Sequence, residues 1–273
     1  CRSYSQQRRS RRFLCYVIMK HIKITHGSKV YERDIPTEWD ELDADGMMLA
    51  AMLWTGGLPR DELLAKYYGV PMHVVYALGD YLSYCLTQLT TWMQRLDDSV
   101  DNFKITVLPD TGYFAPGPRL GGCTLEQFMM ADTHFQRYAI SQDGDHLTVF
   151  IASLYHARHK RDDDIDAKVC AVEQLPEKVR QAVFLNFILL RRWLSRSYPY
   201  LFPPQSDEED EEEVEAFKSK MQKRKKPTPT DWLAIFDAFM GDDVAFIERY
   251  KRMSALDAFR LMNRRIKQSR QPQ

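Results

Sequence analysis

Asp162, Asp164, Asp166 and Glu173 stand at relative positions 1, 3, 5 and 12 of one segment, with Val169 at position 8. That spacing is the carboxylate skeleton of an EF-hand calcium loop, whose oxygen ligands close round a hard cation. The sharp-turn glycine is absent. Position 6 is Ala167, where the loop needs a left-handed backbone that costs a non-glycine residue about 1–2 kcal/mol. The same residues serve equally as a solvated acidic cap ahead of a helix, which the missing glycine favours. No metal or cofactor is therefore expected, and the four carboxylates are kept only as candidates.

His156 and His159 lie one helical turn apart and close to those aspartates, a spacing that suits zinc ligation. Nothing fixes a third ligand. Beside Arg158, Lys160 and Arg161 they equally complement the negative end of a helix.

Residues 61–80, DELLAKYYGVPMHVVYALGD, carry a helix-turn-helix pattern: Ala65 where two helices cross, Gly69 in the turn, and Leu64, Tyr68, Val75 and Leu78 apolar. The second helix lacks the chemistry of a base reader. It offers His73 and Tyr76 where Arg, Lys, Asn or Gln would be needed, and Asp80 repels phosphate. Two core helices joined by a tight turn explain the pattern without DNA. Enzyme signatures are missing: G-x-S-x-G, H-E-x-x-H and the phosphate-binding loop do not occur.

The elements that must hold these groups follow from composition and period. A hydrophobic content of 44% supports a packed core in a chain of 273 residues. Net charge is zero, yet residues 1–23 carry seven basic and no acidic groups, residues 24–217 carry 17 basic and 32 acidic, and residues 218–273 carry 14 basic and six acidic. Five scattered cysteines with no C-x-x-C pair fit free thiols in a reducing compartment. The longest apolar run, Ala182 to Leu190, is interrupted by Asn186 and falls short of the ~20 residues of a spanning helix, so no membrane segment is expected.

A mainly α fold is expected, a multi-helix body with a small N-terminal β-hairpin and a tethered C-terminal helical unit. Residues 1–18 read as a basic leader outside the fold, with Met19 as the native start. Residues 19–204 form the body. Its hairpin covers residues 20–33, turning at His26-Gly27. Thr37 is a candidate cap for a helix carrying Trp39, and Met47 to Trp54 gives a second. One long helix is expected from about His73 to Leu96, then a strand at Lys104 to Leu108. Thr124 and Gln127 make a capping box. The helix after Pro176 is apolar almost all round, which marks the centre of the core.

Eight acidic groups between Asp207 and Glu215 give way to Lys218, Lys220, Lys223, Arg224, Lys225 and Lys226. Burying so many like charges is prohibitive, so residues 205–229 read as a solvated linker. Residues 230–270 then form a small helical unit. A core of about forty residues is marginal alone, which makes its aromatic helices a candidate partner surface: Trp232, Phe236, Phe239, Ile247 and Tyr250. The competing reading buries them in the unit's own core or against the body.

The pattern I-P-x-x-W-D-E-L (Ile35, Pro36, Trp39, Asp40, Glu41, Leu42), a helical body, and a closing W-x-x-I-F, G-D-D and Y-x-x-M series together resemble uncharacterised proteins of bacterial prophage and phage tail gene regions. The layout is similar to that of tail assembly chaperones. The resemblance implies a non-enzymatic cytoplasmic factor that binds a protein partner, a long helical phage tail protein, without a cofactor. The alternative is a helix-turn-helix nucleic-acid binder using residues 61–80 and the basic ends.

Overall fold

The computed structural model describes residues 14–18, 21–157, 164–203, 230–241 and 243–270. The fold is mainly helical, with a small antiparallel sheet at the N-terminal end and further helices at the C-terminal end. Two compact units form, one from the chain up to Glu41 with Leu58–Arg95, the other from Leu42–Gly57 with Leu96 onward. Among the described residues no helix is long and apolar enough to cross a membrane.

In the first unit, strands β1 (Leu14–Ile18), β2 (His21–His26) and β3 (Lys29–Asp34) pair in that order, all antiparallel. The expected hairpin is β2–β3, with His26 opposite Lys29 and Gly27 at φ +64° in the two-residue turn. The third strand is new. Leu14–Ile18 falls within the segment read as a leader, but its β-branched and aromatic residues suit a strand, and Val17 sits opposite Ile22. Ile22 and Ile24 are buried while His21 and Lys23 are exposed, the alternation of a half-buried strand.

Trp39 lies in a short 3-10 turn, Trp39–Glu41, rather than in the expected α-helix. The Glu41 carboxylate reaches back to take the Thr37 amide N–H at 2.9 Å, which holds the turn. Trp39 is buried; its indole N–H donates to the Arg95 carbonyl at 2.8 Å and its ring meets Trp92 edge-on.

The expected long helix from His73 to Leu96 is instead α3 (Met72–Val75), α4 (Asp80–Gln88) and a 3-10 turn at Thr91–Gln94. Gly79, extended at φ −72° and ψ 160°, breaks it at one point. Threonines end it at another: Thr90 Oγ1 donates to the Thr87 carbonyl and Thr91 Oγ1 to the Gln88 carbonyl, each at 2.8 Å. Such local bonds compete with the helical ladder.

The second unit is built round α8 (Glu177–Ser197), whose residues Ala182 to Leu190 are all buried. Helices α1 (Ala44–Trp54), α5 (Leu125–Ser141) and α6 (Gly144–Leu154) supply its neighbours, with α7 (Ile165–Glu173) against α6. Phe135, Phe150, Phe184 and Phe187 meet at ring-centroid distances from 4.9 to 6.4 Å. Asn186, the polar break in the apolar run, accepts the Lys104 amide N–H at 2.6 Å and donates to the Asn102 carbonyl at 2.9 Å. It anchors an irregular segment to the central helix.

The capping box at Thr124 forms as expected, with Gln127 N–H on Thr124 Oγ1 at 3.2 Å and Thr124 N–H on Gln127 Oε1 at 2.9 Å. The strand expected at Lys104–Leu108 does not form. The short pairing there is β4 (Tyr113–Phe114) with β5 (His156–Ala157), and Val107 contributes one isolated bridge to Phe114. Buried Tyr155 reaches the same segment, donating to the Ile105 carbonyl at 2.6 Å.

Helices α9 (Trp232–Met240), α10 (Ile247–Lys251) and α11 (Ala255–Ser269) belong to this second unit rather than to a body of their own. Phe259 of α11 is fully buried and packs on Phe128, Tyr198 and Phe202. Backbone bonds join the two ends of the unit: Leu125 N–H to the Met253 carbonyl at 2.8 Å, and Ala255 N–H to the Cys123 carbonyl at 3.0 Å. Asn263 Oδ1 accepts the amides of Tyr200 and Leu201. The expected linker 205–229 lies outside the described residues.

Candidate protein-docking surface

Helix α9 reads WLAIFDAFM, with Asp237 as its one polar residue. Asp231 caps it, accepting the Ala234 amide at 3.1 Å. Three- and four-residue steps put Trp232, Phe236 and Phe239 on one stripe, and all three are buried. The chain's own residues cover them. Trp232 packs edge-on against Phe128 at 5.5 Å and beside Phe202 at 5.9 Å, and Phe239 lies under Arg265 and against Tyr250. The partner surface expected at Trp232, Phe236 and Phe239 is thus occupied intramolecularly; Ile247 and Tyr250 are half-buried.

A polar clasp fixes this seating. Asp132 of α5 is fully buried, and its Oδ2 accepts the Trp232 indole N–H at 2.7 Å and an amide N–H of Gln136. Gln136 Oε1 in turn accepts the Thr230 amide at 2.6 Å. Asp132 Oδ1 faces Arg191 Nε at 3.4 Å; the contact is an ion pair, its alignment too poor for a hydrogen bond. Arg191 also lies over the Phe135 ring at 5.2 Å. A buried carboxylate demands such partners, since an unpaired one costs several kcal/mol.

The opposite face of α9 has no such cover. Leu233 is 71% exposed, Ala234 and Ala238 are exposed, and Asp237 alone interrupts them. Phe246, at 49%, and Leu261, at 41%, are also left open in the C-terminal region. A surface helix normally turns a polar face to water. Helix α9 instead turns Leu233, with two alanines beside it, to water.

At the edge of this region Tyr250 Oη donates to Asp243 Oδ2 at 3.0 Å, and that bond raises the phenol pKa above its ordinary value. Lys251 pairs with Glu248 at 3.2 Å and Glu126 at 3.6 Å, which raises its pKa and keeps it charged.

The other candidates fare differently. Asp164 is the N-cap of α7, accepting the Asp166 amide at 3.0 Å, and Ile165–Glu173 is helix throughout. A helix cannot wrap a cation as a calcium loop does, so Asp164, Asp166 and Glu173 do not converge; Asp162 lies outside the described residues. His156 is in strand β5 instead of a helix, and His159 is likewise outside. Among the described residues no three of His, Cys, Asp or Glu cluster as a metal site.

In the helix-turn-helix-like segment, α2 (Arg60–Tyr68) ends at Gly69 with φ 65° and ψ 32°, the left-handed turn its glycine indicates. Helix α3 has four residues, and Tyr76 just beyond it is 69% exposed. A recognition helix has to run along a major groove, and one turn of helix presents few side chains to base edges.

The burial of Trp232, Phe236 and Phe239 follows the competing reading, in which they pack within the chain's own core. Asp132 was missed, although its place one turn from Phe128 and Phe135 puts it on the buried stripe of α5. Set against known proteins, the chain matches no family model, no curated protein and no solved structure.

Proposed function

We propose that the protein is a non-enzymatic protein-binding factor of phage or prophage tail assembly, and that it receives a long helical tail protein on the outward face of α9. The observation carrying the reading is the double-sided apolar character of that helix. Its inner stripe is fixed by the Asp132 clasp, so the outer stripe of Leu233, Ala234 and Ala238 is presented on a rigid support. Helix-on-helix recognition uses small and branched side chains at such spacing to let backbones approach.

The tail-assembly setting comes from the resemblance of the Ile35–Leu42 pattern and the C-terminal series, and the cytoplasmic site of action follows from it. The experiment is co-purification of the full chain with a long helical phage tail protein. Co-elution that is lost on Leu233→Asp supports the reading. Failure to co-elute, together with retention of duplex DNA that weakens steeply with salt, overturns it in favour of nucleic-acid binding.

A further inference from the structure

His134 of α5 and His146 of α6 face each other across the helical hairpin, with Nδ1 to Nδ1 at 3.3 Å. Their ring centroids are 5.3 Å apart and the rings are inclined at 62°. The scaffold behind them is tightly defined. Helices α5 and α6 pack side by side, the chain turns between them at Gln142 with φ 57° and ψ 25°, and Asp143 caps α6 by accepting the Asp145 amide at 3.1 Å.

That separation has a specific meaning in coordination chemistry. Two imidazole nitrogens bound to one metal at 2.0–2.1 Å with a tetrahedral angle between them stand about 3.3–3.4 Å apart. A direct N–H···N hydrogen bond prefers a shorter contact, near the ~2.9–3.0 Å of other N–H donors. We propose that His134 and His146 form a two-nitrogen site for a divalent transition metal of the imidazole-preferring class, Zn2+, Ni2+ or Cu2+. Each ring then carries its proton on Nε2 and offers the Nδ1 lone pair.

Both side chains are half-buried, so the cation is reached from solvent. Burial, reinforced by His146 and by Arg137, lowers the His134 pKa, which keeps the ring in its neutral, ligating form at neutral pH. No third His, Cys, Asp or Glu joins the pair among the described residues. The remaining coordination positions fall to water, which makes the site open and exchangeable. Hard cations such as Mg2+ and Ca2+, which demand oxygen ligands, have no place in it.

The test uses the full chain stripped with EDTA at pH 7.5. Its melting temperature is expected to rise saturably with ZnCl2 or NiCl2, by roughly 5 °C at a hundredfold excess over Kd, and to ignore MgCl2. His134→Gln and His146→Gln should each abolish the rise. Because a variant can fail to fold, the wild-type chain is also treated with diethyl pyrocarbonate, and modified histidines are mapped by mass spectrometry. Ni2+ should protect His134 and His146 together. Absence of a metal-dependent shift, a shift that survives in both variants, or protection only at other histidines overturns the assignment and leaves the pair as a hydrogen bond between the two rings.

Discussion

The indole N–H of Trp232 donates to Asp132 Oδ2 at 2.7 Å, tying the first C-terminal helix to a carboxylate a hundred residues earlier in the chain. The bond seats α9 with its inner stripe in the core and so decides which face is left to solvent. Trp232→Phe keeps an aromatic ring, though a smaller one, and deletes the donor. It is expected to cost about 1–3 kcal/mol, because the buried carboxylate loses a charge-assisted bond, and guanidinium or urea unfolding measures the loss. Limited proteolysis should cut within α9 faster in the variant, whereas unchanged cleavage would mean that the aromatic contacts alone hold α9.

Asn186 is the single polar residue among the buried positions from Ala182 to Leu190, and it bonds the backbone on either side of Phe103. Asn186→Leu raises the apolar content of the core and is nonetheless expected to destabilise by about 1–3 kcal/mol, since it removes the partner of a main-chain donor and of a main-chain acceptor. A lower denaturant midpoint with an unchanged slope is the expected signature. A gain in stability would show that water or a backbone shift satisfies those groups.

Acid should loosen the α5–α6 hairpin. The folded-state pKa of His134 lies below its unfolded value because burial, His146 and Arg137 all oppose its charge. On falling pH the unfolded chain therefore binds the proton first. Stability from this pair is fully present above about pH 6.5, the unfolded value, and is lost as pH falls below it toward the folded pKa. Unfolding midpoints at pH 7.5 and 5.5 test this: His134→Gln should narrow the difference between them, and an unchanged difference would assign the acid sensitivity to carboxylates.

Much of the fold was legible from residue patterns. The β2–β3 hairpin, the Thr124–Gln127 capping box, the Gly69 turn and the apolar helix after Pro176 rest on local rules, and each is found in the structure. What the pattern could not show was competition between equals. From His73 to Leu96 the apolar stripe has helical period, yet extended Gly79 interrupts the ladder and the Thr90 and Thr91 hydroxyls offer the backbone other partners. Leu14–Ile18 was set aside with its basic neighbours, although strand pairing depends on a register that only β2 supplies.

The seating of α9 was half legible. Its composition marks it as a largely apolar helix, but which of its faces is spent on the core depends on Asp132, Gln136 and Phe128, about a hundred residues away. Long-range polar pairing leaves no periodic trace. The carboxylate series at Asp164 illustrates the converse, since its spacing matches a calcium loop while its backbone is an ordinary capped helix.

Binding of the full chain to the long helical tail protein, compared between wild type and Leu233→Asp, separates the two faces of α9. Leu233 is 71% exposed, so the substitution should leave stability within about 0.5 kcal/mol. The affinity should fall at least tenfold, as expected for a charge placed in an apolar contact. Equal affinity in the two proteins, at equal stability, would contradict the outward face of α9 as the docking surface.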